Sequence, residues 1–365
     1  MKTERSTSKL PPLWLYKLVS KLRMLLQKMY YALVPANVAV YEMSQQFWLS
    51  KMIGVSCELN LSEIVGDESL DIANIAREAG ADTESLYRLM RALSSEGIFR
   101  EEQGRKFSNT ARSYALIGGP GSMKYMIKHQ LHHDNWSVVG EMKYSVQTGK
   151  SAVRKLFGKS AFEQIAADPE RNSLYNLAMN NTSNLIAQAA ISAYDFSKFS
   201  CLADIGGGTG RLLASILSRH PRMKGVLLDW EHVVAGAPEV MKRFGVEERV
   251  DIVKADFFEQ IPPDCDAYIL KNILHIFDDE HCIRLLQKIR EQAKPGARIL
   301  ILEMLLGPAN QQSYGKMFDL QMLLGPDGAR ERTAEDYRAL FEKSGWKSML
   351  VVEMVSPFAM LEAQA

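Results

Sequence analysis

The run Cys201-Leu202-Ala203-Asp204-Ile205-Gly206-Gly207-Gly208-Thr209-Gly210, answered by Asp229 at the end of Val226-Leu227-Leu228, restricts the second half of this chain to one kind of local fold. The apolar residues make a strand, the glycines allow a tight turn that a ligand can approach, and Arg211 to His220 supplies a helix whose N-terminus faces that turn. This is the outline of a nucleoside-binding βαβ crossover. Asp229 then stands where a carboxylate can accept hydrogen bonds from two ribose hydroxyls.

Glycine spacing narrows the nucleoside. A dinucleotide fingerprint places its third glycine where the helix packs closely below a pyrophosphate, and here that position is the bulky Arg211. The acid-x-Gly-x-Gly-x-Gly pattern at Asp204, Gly206, Gly208 and Gly210 suits a ligand with an amino-acid tail and no phosphate, namely S-adenosylmethionine. Glycines also serve ordinary turns, so the reading rests on strand, helix and ribose acid occurring together.

With 365 residues and 47% hydrophobic content, the chain can bury a large core in two domains or one large one. The net charge of +1 supplies no global basic field for nucleic acid. The charge is uneven: Lys2, Arg5, Lys9, Lys17, Lys21, Arg23 and Lys28 face only Glu4 among residues 1–35, which leaves the remainder acidic. Cys57, Cys201, Cys265 and Cys282 show neither Cys-x-x-Cys pairing nor zinc-finger histidine spacing; they read as buried thiols in a reducing cytoplasm, with no metal. Charges interrupt the N-terminal apolar stretch, which argues against a secretory signal, and no run is long enough to span a bilayer.

Residues 1–34 read as an arm whose Leu13 to Leu33 forms a basic amphipathic helix stopped by Pro35. Residues 13–33 permit peripheral contact with a membrane, but a packing arm in a homodimer is the preferred reading. Residues 35–120 contain a winged-helix outline: helices at 71–79 and 82–95 around Gly80, then a hairpin at 98–109 turning at Gln103-Gly104. Arg88 and Arg91 could touch DNA, but Glu84 and Glu96 oppose that, so assembly is expected and nucleic acid is not. Residues 121–195 are a helical linker and substrate-cavity region. Residues 196–365 alternate strands (202–205, 225–228, 250–254, 267–270, 298–302 and a closing pair within 347–361) with helices, a doubly wound, Rossmann-like α/β sheet.

Ligands in such sheets bind beyond the carboxyl ends of the strands. Asp229 ends the second strand; Asp256 and Phe257 follow the third, where a carboxylate could take an adenine amino group and a ring could pack on the base. The fourth strand leads through Lys271 to His275, and Glu303 ends the next. A carboxylate facing an imidazole fixes its tautomer and raises its basicity, which prepares a general base for a weakly acidic hydroxyl.

With the segments LADIGGGTG, LLD, ADFF, KNILHIFDDEHC, ILILEM and MFDLQMLLGPDGARERT, the chain resembles, over about residues 35–361, the small-molecule O-methyltransferases of plant phenylpropanoid and bacterial polyketide or pigment pathways. The resemblance implies that His275 is the catalytic base, that Glu303 and Glu331 flank it, and that Lys271 lines the cofactor site. It also implies a winged-helix dimerisation domain that makes an intertwined dimer. Where the family usually reads His-Asp-Trp, this chain has His275-Ile276-Phe277, which bears on substrate geometry and keeps carbon methylation or non-methylating chemistry open as the alternative. The expected activity is methyl transfer to a hydroxyl, best a phenol, of an apolar small molecule. Trp136, Met179, Asn180, Phe318, Met322 and Leu323 are the expected cavity lining.

Overall fold

The computed structural model describes residues 10–119 and 121–365. Lys2, Glu4, Arg5 and Lys9 of the basic arm lie outside the described residues. The chain forms two compact units, and neither is continuous in sequence. One comprises the stretch ending at Leu25, Glu141–Glu163 and Ser183–Ala365; the other comprises Leu26–Gly140 and Gln164–Thr182. The helical region from 121 to 195 is thus divided between them, and the helix Pro169–Ala193 belongs to one unit up to Thr182 and to the other from Ser183.

In the second unit the helices Ile72–Ala79 and Thr83–Ser95 form where Asp71 and Asp82 cap them. Their carboxylates accept the amides of Asn74 at 3.1 Å and Ser85 at 2.9 Å, satisfying donors that the first turn leaves free. Strands β1 (Leu70–Asp71), β2 (Phe99–Glu102) and β3 (Lys106–Asn109) pair antiparallel in the order β1-β3-β2. Ile75, Met90, Leu93, Phe99 and Phe107 close the core between helices and wing. Of the basic groups here, Arg91 and Arg105 lie over the Tyr87 ring, and Arg105 also pairs with Glu84 at 2.6 Å.

The other unit is built on a seven-stranded sheet in the order β6-β5-β4-β7-β8-β10-β9. Its strands are β4 (Cys201–Ile205), β5 (Lys224–Asp229), β6 (Val250–Lys254), β7 (Ala267–Lys271), β8 (Arg298–Met304), β9 (Lys347–Glu353) and β10 (Phe358–Gln364). The first five run parallel. The chain winds outward from β4 through β5 to β6, then returns to pair β7 on the other side of β4, so the switch point lies between the C-terminal ends of β4 and β7. The central strands β4, β7 and β8 are buried almost throughout, as a sheet covered on both faces requires. The closing strand runs beyond the expected limit of 361: β10 pairs antiparallel with β8 from Phe358↔Met304 to Gln364↔Arg298. The polar Glu362 inside it is matched by Arg298 and Lys198, each 3.4 Å away.

The cysteines correct one expectation. Cys57 and Cys282 are free and buried, but Cys201 and Cys265 form a disulfide, their Cα atoms 4.9 Å apart. The parallel pairing of Leu202 with Ala267 brings them together across 64 residues of sequence, which Cys spacing alone cannot reveal.

Candidate active site

The glycine loop follows β4 directly. The amides of Gly206 and Gly207 donate to the Leu228 carbonyl, and that of Gly208 donates to Asp229 Oδ2 at 2.8 Å, so the loop is tied to the end of β5. The other Asp229 oxygen accepts the Trp230 amide at 2.8 Å. Each carboxylate oxygen has two lone pairs, so acceptor capacity remains for a diol. At Gly208 the backbone is left-handed, φ +64°, and nothing lies within 4 Å of where a Cβ would stand, which leaves the loop open to a ligand. Gly210 is the opposite case: φ is +74°, and a Cβ would stand 2.2 Å from the Met241 terminal methyl and 2.8 Å from Leu227.

Beneath the loop Asp204 is buried, its Oδ2 without a hydrogen-bond partner among the described residues. Burial pushes its carboxyl up to about 7, against the pull of Lys271, and burial likewise raises Asp229. An unpaired buried acceptor, an open glycine cradle and a ribose-type acid fit the ammonium and sugar hydroxyls of S-adenosylmethionine. Phe257 is buried and meets Phe258 and Phe277 edge-on or tilted, and its ring borders the space beside Gly206. Asp256 serves the same turn, accepting the Phe258 amide at 2.7 Å.

Across the switch point, β7 ends at Lys271 and the chain enters a short turn, Leu274–Ile276, that carries His275. His275, Glu303 and Glu331 are brought together in a buried cluster. His275 Nδ1 lies 2.8 Å from Glu331 Oε1 and 3.8 Å from Glu303 Oε2. Glu331 is therefore the direct partner of the imidazole. Glu303 holds the backbone as well as facing the ring: its Oε1 accepts the amides of Ile273 and Leu274 at 3.0 Å and of His275 at 3.4 Å. Burial pulls the His275 pKa down, but the charge of Glu303 and the hydrogen bond and charge of Glu331 outweigh it, and the net shift is upward. Glu303 is itself raised by burial, with His275 opposing. Lys271 is held below the usual lysine range by burial, with Asp204 and Glu303 acting the other way.

Sequence reasoning passed over Arg332 and Asp319. Arg332 is fully buried and donates to the carbonyls of Leu274 and Phe277 on either side of His275. Asp319 accepts the Glu331 amide at 2.9 Å, mooring the helix Tyr314–Leu324 to the loop that carries Glu331. The only signal for Arg332 was its place beside Glu331, since a buried arginine needs several acceptors and none is local in sequence. Phe318 and Met322 stand one turn apart on the Tyr314–Leu324 helix, both half-buried. Trp136, Met179 and Asn180 belong to the other unit, where Lys51 lies over the Trp136 ring at 5.6 Å from its centroid.

Comparison with known proteins agrees with this architecture. Residues 139–347 match the model of an O-methyltransferase domain, and residues 41–119 match that of an O-methyltransferase dimerisation domain. The chain is 33% identical to the phenazine O-methyltransferase PhzM of Lysobacter antibioticus, over 91% of this chain and 97% of that protein. It is 32% identical to the mitomycin biosynthesis 6-O-methyltransferase of Streptomyces lavendulae, over 85% and 89%. The crystal structure of LaPhzM superposes with a TM-score of 0.86 at 33% identity, covering 91% of this chain and 99% of that one. The chain thus belongs to the O-methyltransferase family and is an enzyme that transfers a methyl group from S-adenosylmethionine to a hydroxyl of a small aromatic or apolar molecule.

Proposed function

We propose that the acceptor is a phenol and that His275 is the general base. The observation that carries this is the 2.8 Å contact of His275 Nδ1 with Glu331 in a buried site. In the neutral ring, Nδ1–H donates to the carboxylate, so the lone pair resides on Nε2, available to an acceptor hydroxyl. Bound S-adenosylmethionine supplies an electrophilic methyl group. The chain's own part is to take the hydroxyl proton on Nε2, stabilise the resulting imidazolium with Glu331, and hold the turn rigid through Glu303. A phenol, with an unperturbed pKa of about 10, is within reach of such a base, whereas an aliphatic alcohol is a far weaker acid.

Asp204, Gly206, Gly208, Gly210, Asp229, Asp256, Phe257 and Lys271 are the proposed cofactor contacts. Phe318 and Met322, one turn apart on the helix Tyr314–Leu324, are the proposed acceptor contacts in the unit that carries His275. His275→Ala, assayed by release of S-adenosylhomocysteine with a panel of phenols headed by a hydroxyphenazine, tests the central assignment. Loss of transfer with cofactor affinity intact supports it, and undiminished transfer moves the reading to carbon methylation or non-methylating chemistry.

The working form in this proposal is a homodimer. No residue of the helix Leu13–Ala32 is buried, and Trp14, Leu18, Leu22 and Met29 on it are each at least half exposed. The next helix, Ala36–Glu58, continues the pattern with Tyr41 and Trp48, inside the segment matched to a dimerisation domain. Apolar faces of this extent mark interaction surfaces. Among the described residues no helix is long and apolar enough to cross a membrane. The cytoplasm is the proposed location, which cell fractionation tests.

A further inference from the structure

We propose that Arg332 is a positioning residue for methyl transfer, setting the location of the His275 ring by gripping the turn that carries it. The inference rests on the reading of His275 as the base. A buried guanidinium has five donors to satisfy, and this one makes four hydrogen bonds, two to the turn and two to the start of the helix that follows it. Nη1 donates to the Leu274 carbonyl at 2.9 Å and Nη2 to the Phe277 carbonyl at 2.8 Å. Nε and Nη2 also engage Asp279 Oδ1 at 2.9 and 2.8 Å, at the first residue of the helix that follows.

The same turn is held on its amide side by Glu303, through Ile273, Leu274 and His275. Two of its carbonyls go to a cation and three of its amides to an anion, so the segment from Ile273 to Phe277 is clamped between two fully buried charged side chains. A third tie, from the Arg330 amide to the His275 carbonyl at 2.9 Å, comes from the same loop as Arg332. That loop also delivers Glu331 to the imidazole. One segment, Arg330-Glu331-Arg332, thereby fixes both the backbone and the ring of the base. The planar fork of arginine spans two carbonyls and a carboxylate at once, and a lysine ammonium cannot reproduce that spread.

The experiment compares Arg332→Lys, Asp279→Ala and His275→Ala in the full-length enzyme. The readouts are kcat and KM with the hydroxyphenazine, S-adenosylmethionine affinity by calorimetry, melting temperature, and the His275 ring signal in isotope-labelled protein, assigned by its loss in His275→Ala. Misplacing a reacting group by about 1 Å can cost ~10²-fold, so Arg332→Lys is expected to lose kcat on that scale, with KM and cofactor affinity nearly unchanged and the His275 signal shifted or broadened. Asp279→Ala, which removes a half-exposed anchor, is expected to move the same readouts in the same direction by less, and it carries the test if Arg332→Lys does not fold. A folded Arg332→Lys with wild-type kcat and an unmoved His275 signal overturns the inference, even if its melting temperature falls. So does an Asp279→Ala that loses stability alone. If His275→Ala keeps full transfer, it is the base assignment that fails; if His275→Ala is inactive while Arg332→Lys is unaffected, only the positioning role fails.

Discussion

Glu331 reaches His275 Nδ1 at 2.8 Å, from a position 56 residues further along the chain. Because the net effect of the surrounding carboxylates is to raise the His275 pKa, the ring holds its proton to higher pH than an ordinary histidine. Only the neutral ring can accept a proton from the acceptor. The kcat profile should therefore rise with pH through the raised His275 pKa, and lie alkaline of the usual histidine range. Glu331→Gln removes one of the raising groups, so the rising limb should move to lower pH while the plateau falls. A kcat profile for the variant that keeps the wild-type limb would show that this pair does not set the base.

Asp229 holds two loop amides and is the proposed ribose acid, so its removal should strike cofactor binding before anything else. Hydrogen bonds to charged groups are worth about 1.5–3 kcal/mol, which corresponds to roughly 10- to 100-fold in affinity for Asp229→Ala. Calorimetric titration with S-adenosylmethionine and S-adenosylhomocysteine measures it directly. Unchanged affinity in the folded variant would remove Asp229 from the cofactor site.

Gly210→Ala should destabilise the sheet unit. The new methyl would enter the space of Met241 and Leu227, and the left-handed backbone adds strain of about 1–3 kcal/mol. Gly208→Ala shares the φ cost but meets no neighbour, so its thermal loss should be smaller while its cofactor affinity falls. Equal melting temperatures for the two variants would contradict the packing argument.

Deleting residues 1–34 removes the helix whose apolar side chains are exposed. Light scattering should show the dimer weakened, and liposomes containing anionic lipid should bind the full chain no better than the truncated one. Vesicle binding lost on truncation, with the dimer intact, would assign this helix to a lipid surface instead.

Much of the catalytic unit was legible because its signals are local. Strand, glycine loop and the proposed ribose acid sit within Cys201–Asp229. Proximity of Glu303 to His275 could be anticipated from strand order, but not that its Oε1 would turn to three backbone amides. Arg332 was hidden for the same reason: two of its acceptors are the carbonyls of Leu274 and Phe277, which any residue could offer, and the third, the Asp279 carboxylate, lies 53 residues away. The Cys201–Cys265 pairing and the full length of β10 depend on strand register, which forms only when distant segments meet.

The helix Pro169–Ala193, divided at Thr182 between the two units, has a consequence for exchange between relatives. A piece beginning just before β4 would carry every strand of the large sheet yet leave behind Glu141–Glu163 and the residues from Ser183 that belong with it. The methyl-transfer unit is therefore not a transplantable cassette. A chimera that preserves both units must cross over at several points, and a single junction ahead of β4 should give a chain with two half-finished cores.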